Sequence, residues 1–335
     1  MRRIGWRWPA LILVIFGLAP GTWLRTHIPP PEAITFIAIE ELPPGERVKG
    51  ELRLAGQWEL SSPSMDFGGF SALLARPDGS FLALSDLGMA LSFADPRGAR
   101  SGRLPARLGP AGERRYVKAE ADIESAAQSA DGGTVWLGFE MTNRIVRSFA
   151  DWSGAETVSP EGMAEWSINS GAEAMARLDD GRFIVISEGA EGWRDSASPA
   201  ILFAGDPVED AGAVPFRFVP PDGFRPSDMA ILPDGRALIL LRGVDWTLPP
   251  RFTSRLVVAD PATIEEGADW QWQAMPPFPA GMIAENYEGL AAVPRAPGTY
   301  TIWLISDDNK GALQRTLLVE LEWTPEAAAS GKETP

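Results

Sequence analysis

The chain contains no cysteine. Disulfides, thiolate nucleophiles, thiolate metal sites and a lipid-modified N-terminal cysteine are therefore excluded. Histidine is almost as scarce. His27 is the single copy in 335 residues, beside an N-terminal apolar stretch and far from every motif below. That argues against a Ser–His–Asp triad and against a multi-histidine zinc centre. Positive charge is also short: 30 Lys and Arg against 45 Asp and Glu give a formal charge of −15. Nucleic-acid partners call for the opposite, a basic footprint. Such acidity also repels anionic ligands unless a cation intervenes. Any chemistry must rest on carboxylates, amides, hydroxyls, arginines and whatever metal they hold.

What is present is globular. Hydrophobic residues make up 45% of the chain, enough for a sizeable core, and 34 Gly with 30 Pro favour short strands and turns over long helices. At the N-terminus Arg2, Arg3 and Arg7 precede an apolar run from Ala10 to Ala19. That run has the length of a signal-peptide core and is short for a membrane span. Residues 1–29 are read as a signal peptide or N-terminal membrane anchor, residues 30–323 as the folded domain and residues 324–335 as a disordered tail. The expected location is the periplasm, free or anchored. Membrane contact is expected only through that segment, and the protein is expected to be a monomer.

One unit recurs five times: FSALLARPDGSFLALSDLG (70–88), IESAAQSADGGTVWLGFE (123–140), AEAMARLDDGRFIVISEG (172–189), SDMAILPDGRALILLRG (227–243) and YEGLAAVPRAPGTYTIWLISDD (287–308). Each copy runs from a short apolar strand through a Gly-containing turn into a second strand. Asp-Gly between apolar strands signals a hairpin, because Gly supplies the positive φ. From the turn glycine to the strand-ending residue the count is 7 in four copies (79 to 86, 133 to 140, 181 to 188, 235 to 242) and 9 in the fifth (298 to 307). Third strands follow at 144–150, 200–206, 255–260 and 315–323, and fourth strands at 214–220 and 270–275. Four strands per unit at this period predict an all-β fold, a β-propeller. Five blades are clear. ELRLAGQWEL (51–60) closes the ring as an N-terminal strand, and ITFIAIE (34–40) leaves room for an irregular sixth blade.

In such a hairpin the turn sits at one end and the first and last residues meet at the other. The pairs Glu124 (with Asp122) and Glu140, Glu173 and Glu188, and Glu288 and Asp307 are thus expected at one mouth of the channel, with Asp86 alone and Asp228 paired to Arg242. Crowded carboxylates demand protonation, arginine partners or a bound cation. Asp86, Glu124, Glu140, Asp228, Glu288, Asp307, Asp308 and Asn309 form an oxygen-only set that suits Ca²⁺. The blander reading makes strand-end acids solvated caps. It holds for the turn acids Asp78, Asp131, Asp180 and Asp234. Most of the thirteen tryptophans are assigned to packing between blades, with Trp193 and Trp246 as exceptions in loops on the acidic face.

The segments GGFSALLARPDGSFLALSDLG, DIESAA, GFEMTNRI, NSGAEAMA, PSDMAILPDGRALIL and, most specifically, EGLA followed by SDDN and QRTLL resemble the phytase-like propeller family, also described as esterase-like activity of phytase. The resemblance covers about residues 50–323. It implies an exported bacterial protein and a calcium-dependent hydrolase of phosphate esters. Ala72 and Leu87 depart from the family pattern, which has Gly after the first Ser and a basic residue before the Gly of Ser-Asp-Arg-Gly. Lys310 stands where an aromatic is common. On this reading Glu173 or Glu188 is the general base, and Arg144, Arg194, Arg242 and Lys310 bind the phosphate. A lactonase or carboxylesterase, using the amides of Asn143, Asn169, Asn286 and Asn309, and a non-catalytic calcium-stabilised envelope binding module are the alternatives.

Overall fold

The computed structural model describes residues 34–43, 50–113, 117–167, 170–189, 197–248, 251–311 and 314–325. The expected leader, residues 326–335 of the expected tail, and Asn169, Trp193 and Arg194 lie outside the described residues. Among the described residues no helix is long and apolar enough to cross a membrane.

Twenty-two strands follow in order. β1 (Ile34–Glu41) and β2 (Leu52–Ser61) precede the first blade, made of β3 (Phe70–Ala75), β4 (Phe81–Ser85), β5 (Met89–Phe93) and β6 (Ser101–Pro110). Blade 2 comprises β7 (Ile123–Gln128), β8 (Thr134–Phe139), β9 (Arg144–Phe149) and β10 (Glu156–Val158). Blade 3 comprises β11 (Ala172–Arg177), β12 (Phe183–Ser187), β13 (Ser198–Phe203) and β14 (Ala213–Phe218). Blade 4 comprises β15 (Phe224–Ile231), β16 (Ala237–Asp245), β17 (Arg251–Ala259) and the short β19 (Trp272–Ala274), with β18 (Asp269–Trp270) just before β19 in the chain. Blade 5 comprises β20 (Tyr287–Ala296), β21 (Thr299–Ser306) and β22 (Thr316–Trp323).

The fourth strand of blade 5 is β2, which runs antiparallel to β22 from Leu52 opposite Trp323 to Leu60 opposite Thr316. This is the closure expected for ELRLAGQWEL. The five innermost strands β3, β7, β11, β15 and β20 touch in that cyclic order, with β20 returning to β3. The result is a five-bladed β-propeller. No sixth blade forms around ITFIAIE. β1 instead pairs on one side with β2 and on the other with β6, which joins blades 5 and 1 at their outer edges into one nine-stranded sheet. The stretch WQWQAM also divides. β18 pairs in parallel with β14 of blade 3, and only β19 pairs with β17.

Apolar side chains from facing blades fill the spaces between them. Trp58 stacks on Trp303 and Phe81 meets Trp303 edge-on where blades 1 and 5 meet, and Trp136 packs edge-on to Phe183 between blades 2 and 3. The turn acids behave as turn chemistry. Asp78, Asp180 and Asp234 accept from the backbone N–H two residues on, and Asp131 accepts from Gly133.

Asp228 departs from expectation. It does not meet Arg242. Its carboxylate is 1% exposed and accepts backbone N–H groups from Met229 (2.8 Å), Leu290 (2.7 Å) and Leu73 (3.4 Å). Burial pushes its pKa well above the usual carboxylate value, and the three amides oppose that shift. These donors tie the inner strands of blades 4, 5 and 1 together, which leaves Asp228 a structural brace rather than a metal ligand. Asp228→Ala orphans three buried amides and is expected to cost about 3 kcal/mol or more. Urea unfolding measures this. An unchanged midpoint would show that the brace carries no load.

Candidate functional site at the acidic mouth of the channel

Each inner strand carries a one-residue bulge at the same place. The ladders shift between Phe70 and Ala72, Ile123 and Ser125, Ala172 and Ala174, Pro226 and Asp228, and Tyr287 and Gly289. The residues at the shift are Ser71, Glu124, Glu173, Ser227 and Glu288. A bulge re-aims its side chain out of the alternation, and repetition around the ring gathers these five at one end of the channel. The second strands end beside them, which brings in Asp86, Glu140, Glu188, Arg242 and Asp307. Blade 4 contributes Ser227 and Arg242, so it is the one blade with no acid in either position.

Of the eight residues expected from sequence to hold a metal, the geometry brings Glu124 and Glu140 together and joins to them Asp122, Glu173 and Glu188, which were outside that set. Carboxylate oxygens of Asp122, Glu124 and Glu140 lie within 4.8 Å of one another, and so do those of Glu140, Glu173 and Glu188. Glu140 belongs to both triads, which puts the densest negative charge between blades 2 and 3. Asp308 is occupied elsewhere: it accepts from the N–H of Gly69 (3.0 Å), the N–H of Lys310 (3.1 Å) and the hydroxyl of Thr316 (3.1 Å). A Cβ on Gly68 would fall 2.4 Å from Asp308 Oδ2, and one on Gly69 2.3 Å from Asp86 Oδ1. Both glycines have positive φ, so the Gly68-Gly69 pair is what lets the two acids approach the blade 1 backbone. Asn309 is exposed, has a φ of 44° and donates its N–H to Asp307 Oδ1 at 2.7 Å. It shapes the turn.

The cations are few and committed. Arg242 bridges Glu188 of blade 3 and Glu288 of blade 5, with its Nη1 3.1 Å from Glu288 Oε1. Burial works against its charge, but Glu288, Glu188, Glu173 and Glu124 more than compensate and raise its pKa. Arg144 lies over the Phe139 ring at 4.2 Å and donates to the Glu120 carbonyl. Lys310 donates to the Phe67 carbonyl, and loss of hydration lowers its pKa. Lys118 was not expected. Placed on a single helical turn (Lys118–Ala121), its Nζ is 3.5 Å from Asp122 and 3.6 Å from Asp86.

These four cations do not neutralise the ring among the described residues. Burial, then Glu173, Glu288 and the nearer acids, pushes Glu124 well above the usual carboxylate value, and burial with Glu188 does the same to Glu173. Burial raises Glu140 to about 7, reinforced by Asp122 and Glu188. It raises Asp307 to about 7, reinforced by Glu288. Asp86 and Glu288 are also raised by burial, against Lys118 and Arg242 respectively. Several strong acceptors stay unused. Among the described residues, neither oxygen of the fully buried Asp122 has a hydrogen-bond partner, and the same holds for the amide oxygens of Asn143 and the buried Asn286.

Asp122 was noted in the sequence only as a companion of Glu124, and Ser71 and Ser227 were missed. The signal was there. Counting back 8 from Gly79, Gly132, Gly181 and Gly235 reaches Ser71, Glu124, Glu173 and Ser227. Aligning blade 4 by its acid slipped the register by one.

The pattern of the phytase-like family, described as esterase-like activity of phytase, matches residues 65–310. No curated protein matches the chain. Among solved structures, hydrazine synthase of Kuenenia stuttgartiensis shares 13% identity over 78% of this chain and 64% of that one, with a TM-score of 0.37. Dihydro-heme d1 dehydrogenase NirN shares 16% over 86% of this chain and 52% of that one, at 0.35. The Cps50 (Swd1) β-propeller domain of Myceliophteria thermophila shares 8% over 86% and 99%, at 0.40. The chain thus spans under two thirds of the length of the first two, and likeness at this level extends no activity to it.

Raised carboxyl pKa values carry a definite sign. The folded protein binds more protons than the unfolded chain between the ordinary carboxylate range and about pH 7, so stability falls as pH rises through that window. In chelator-treated protein the melting temperature is expected to be several degrees higher at pH 5 than at pH 8. Glu140→Gln should narrow the difference. A higher melting temperature at pH 8 in the chelated wild type would contradict the electrostatics described.

Proposed function

We propose, since the chain belongs to the phytase-like family, that it is an exported, metal-dependent hydrolase of phosphate esters acting at the acidic mouth. The observation that carries this reading is the pair of carboxylate triads sharing Glu140, one of which includes the buried oxygens of Asp122, which accept no hydrogen bond among the described residues and face the Lys118 ammonium at 3.5 Å. A hard, oxygen-only donor set of this kind fits calcium. Asp122, Glu124, Glu140 and Glu173 would hold the ion, and the ion when bound supplies positive charge to a phosphoryl oxygen.

The chain's own groups do the rest. Arg242, on the blade between them, fixes Glu188 and Glu288 in place. Glu188, whose side chain is 23% exposed and paired with Arg242, would take a proton from an attacking water. Lys118, whose side chain is 63% exposed, offers the mouth a cation that reaches solvent, a role expected of Arg144 and Lys310 before their commitments were seen. The leader that opens with Arg2 and Arg3 would deliver the protein to the periplasm.

Calcium at a hundredfold excess over its dissociation constant should stabilise the chelated protein by about 2.7 kcal/mol. Differential scanning calorimetry in the presence and absence of EDTA reads this directly, and Glu140→Gln should abolish most of the gain. In a panel of phosphate esters and lactones, Glu188→Gln is expected to lower kcat on the phosphate esters by ~100-fold or more while leaving calcium stabilisation in place. Full turnover by Glu188→Gln would remove it as the base. Turnover of lactones alone would overturn the phosphoesterase reading.

A further inference from the structure

The space between blades 4 and 5 owes its shape to proline. β19 runs beside β17 only from Val257 to Ala259, and the N–H of Met275 makes the last bond, to the Leu256 carbonyl. The chain then reads Pro276-Pro277-Phe278-Pro279. Three prolines in four residues have no N–H to extend a ladder, so the chain leaves the outer edge of β17 and returns only at β20. A cavity of about 620 Å³ opens in the gap, within the range of small-molecule sites. Phe252, Trp272, Met275, Phe278, Met282 and Ile283 line it, all half-buried. All but Phe252 pack partly against the core, and the rest of their apolar surface is left open to the cavity.

Two registers set this cleft against the acidic mouth. Arg242 stands opposite Ser254 in the β16–β17 ladder, and opposed residues send their side chains from the same face of a sheet. Arg242 reaches Glu188 and Glu288, whereas Ser254 lines the cavity. On the other wall, alternate residues serve the two sides. Glu285 and Tyr287 line the cavity, while Asn286 donates to Glu288 at the mouth (2.7 Å). The Ser254 hydroxyl has no hydrogen-bond partner among the described residues.

The geometry points to a subsite for the organic half of the ester: the cleft takes an apolar group of aryl size, its polar substituent meeting Ser254, while the phosphoryl half sits at the mouth. The preferred substrates are then monoesters of bulky apolar alcohols or phenols rather than uniformly polar polyphosphates. This rests on the hydrolase reading above.

Binding separates the two ideas better than rate, because an aryl leaving group speeds hydrolysis by itself. The probes are phenylphosphonate, methylphosphonate and 4-nitrophenol, titrated calorimetrically into calcium-loaded protein. Phenylphosphonate is expected to bind at least ten-fold more tightly than methylphosphonate, 4-nitrophenol to bind without any phosphoryl group, and Ser254→Leu to erase both effects. Phe252→Ala, on the opposite wall, should weaken the same preference and guards against a misfolded Ser254→Leu. Aryl preference without turnover of any ester would uphold the cleft and remove the hydrolase. Turnover with equal binding of the two phosphonates, unchanged in Ser254→Leu, would overturn the cleft and leave the hydrolase intact. A dimer dispersed by Ser254→Leu would assign the surface to a second copy and also overturn the proposal.

Discussion

A ring of sheets holds only if its last member meets its first, and closure is the constraint on which the rest of this molecule depends. Three devices act at the seam between blades 5 and 1. β2 completes blade 5 from the N-terminal side of the chain. Asp308 in blade 5 accepts the Gly69 N–H at the entrance to blade 1. Asp228 reaches from blade 4 to the backbone of blades 5 and 1, the two that flank the seam. The last two are carboxylates that accept backbone amides, so they brace the ring through hydrogen bonds rather than through ion pairs alone. Only when this frame is fixed can eight other acids (Asp86, Asp122, Glu124, Glu140, Glu173, Glu188, Glu288 and Asp307) be held close enough to repel.

That repulsion is unevenly distributed, and the unevenness has a structural source. Blade 4 places Ser227 and Arg242 where the other blades place acids, and Arg242 reaches both ways around the ring to Glu188 and Glu288. Between blades 2 and 3 Asp122, Glu124, Glu140, Glu173 and Glu188 crowd together. The far end of the channel differs. A cavity of about 370 Å³ there is walled by the inner strands of all five blades, with Arg76, Arg177 and Asp179 among its lining residues. The channel is therefore uneven along its axis, densely acidic where the bulges lie and of mixed charge near the turns.

Periodicity made the architecture legible. Asp-Gly turns, strand lengths and the count of seven to the strand-ending residue gave five blades and the closing strand, because backbone geometry repeats when the chain must return to the same place five times. The acids at strand ends followed from the same count. What could not be read was which acids have work left to do. Asp228 and Asp308 look like their neighbours in sequence, yet one is spent on three amides and the other on a glycine N–H and a hydroxyl. Those partners are remote in sequence, brought in by ring closure. Lys118 was hidden for the same reason: nothing near it signals that a helical turn will carry it to Asp86 and Asp122. The bulges escaped notice because one extra residue in a strand leaves no mark on composition.

β1 has a consequence for how the molecule comes apart. By filling the space between β2 and β6 it turns the outer edges of two blades into the interior of one sheet, whereas blades 2, 3 and 4 belong to sheets of their own. An edge that is already paired offers no template for another chain. It also cannot fray alone. Blades 5 and 1 share a continuous hydrogen-bonded surface and must open as a single cooperative unit, so the seam, usually the soft point of a closed ring, becomes the last part to exchange its amide hydrogens. Local opening then begins elsewhere, in the blades that carry most of the acids.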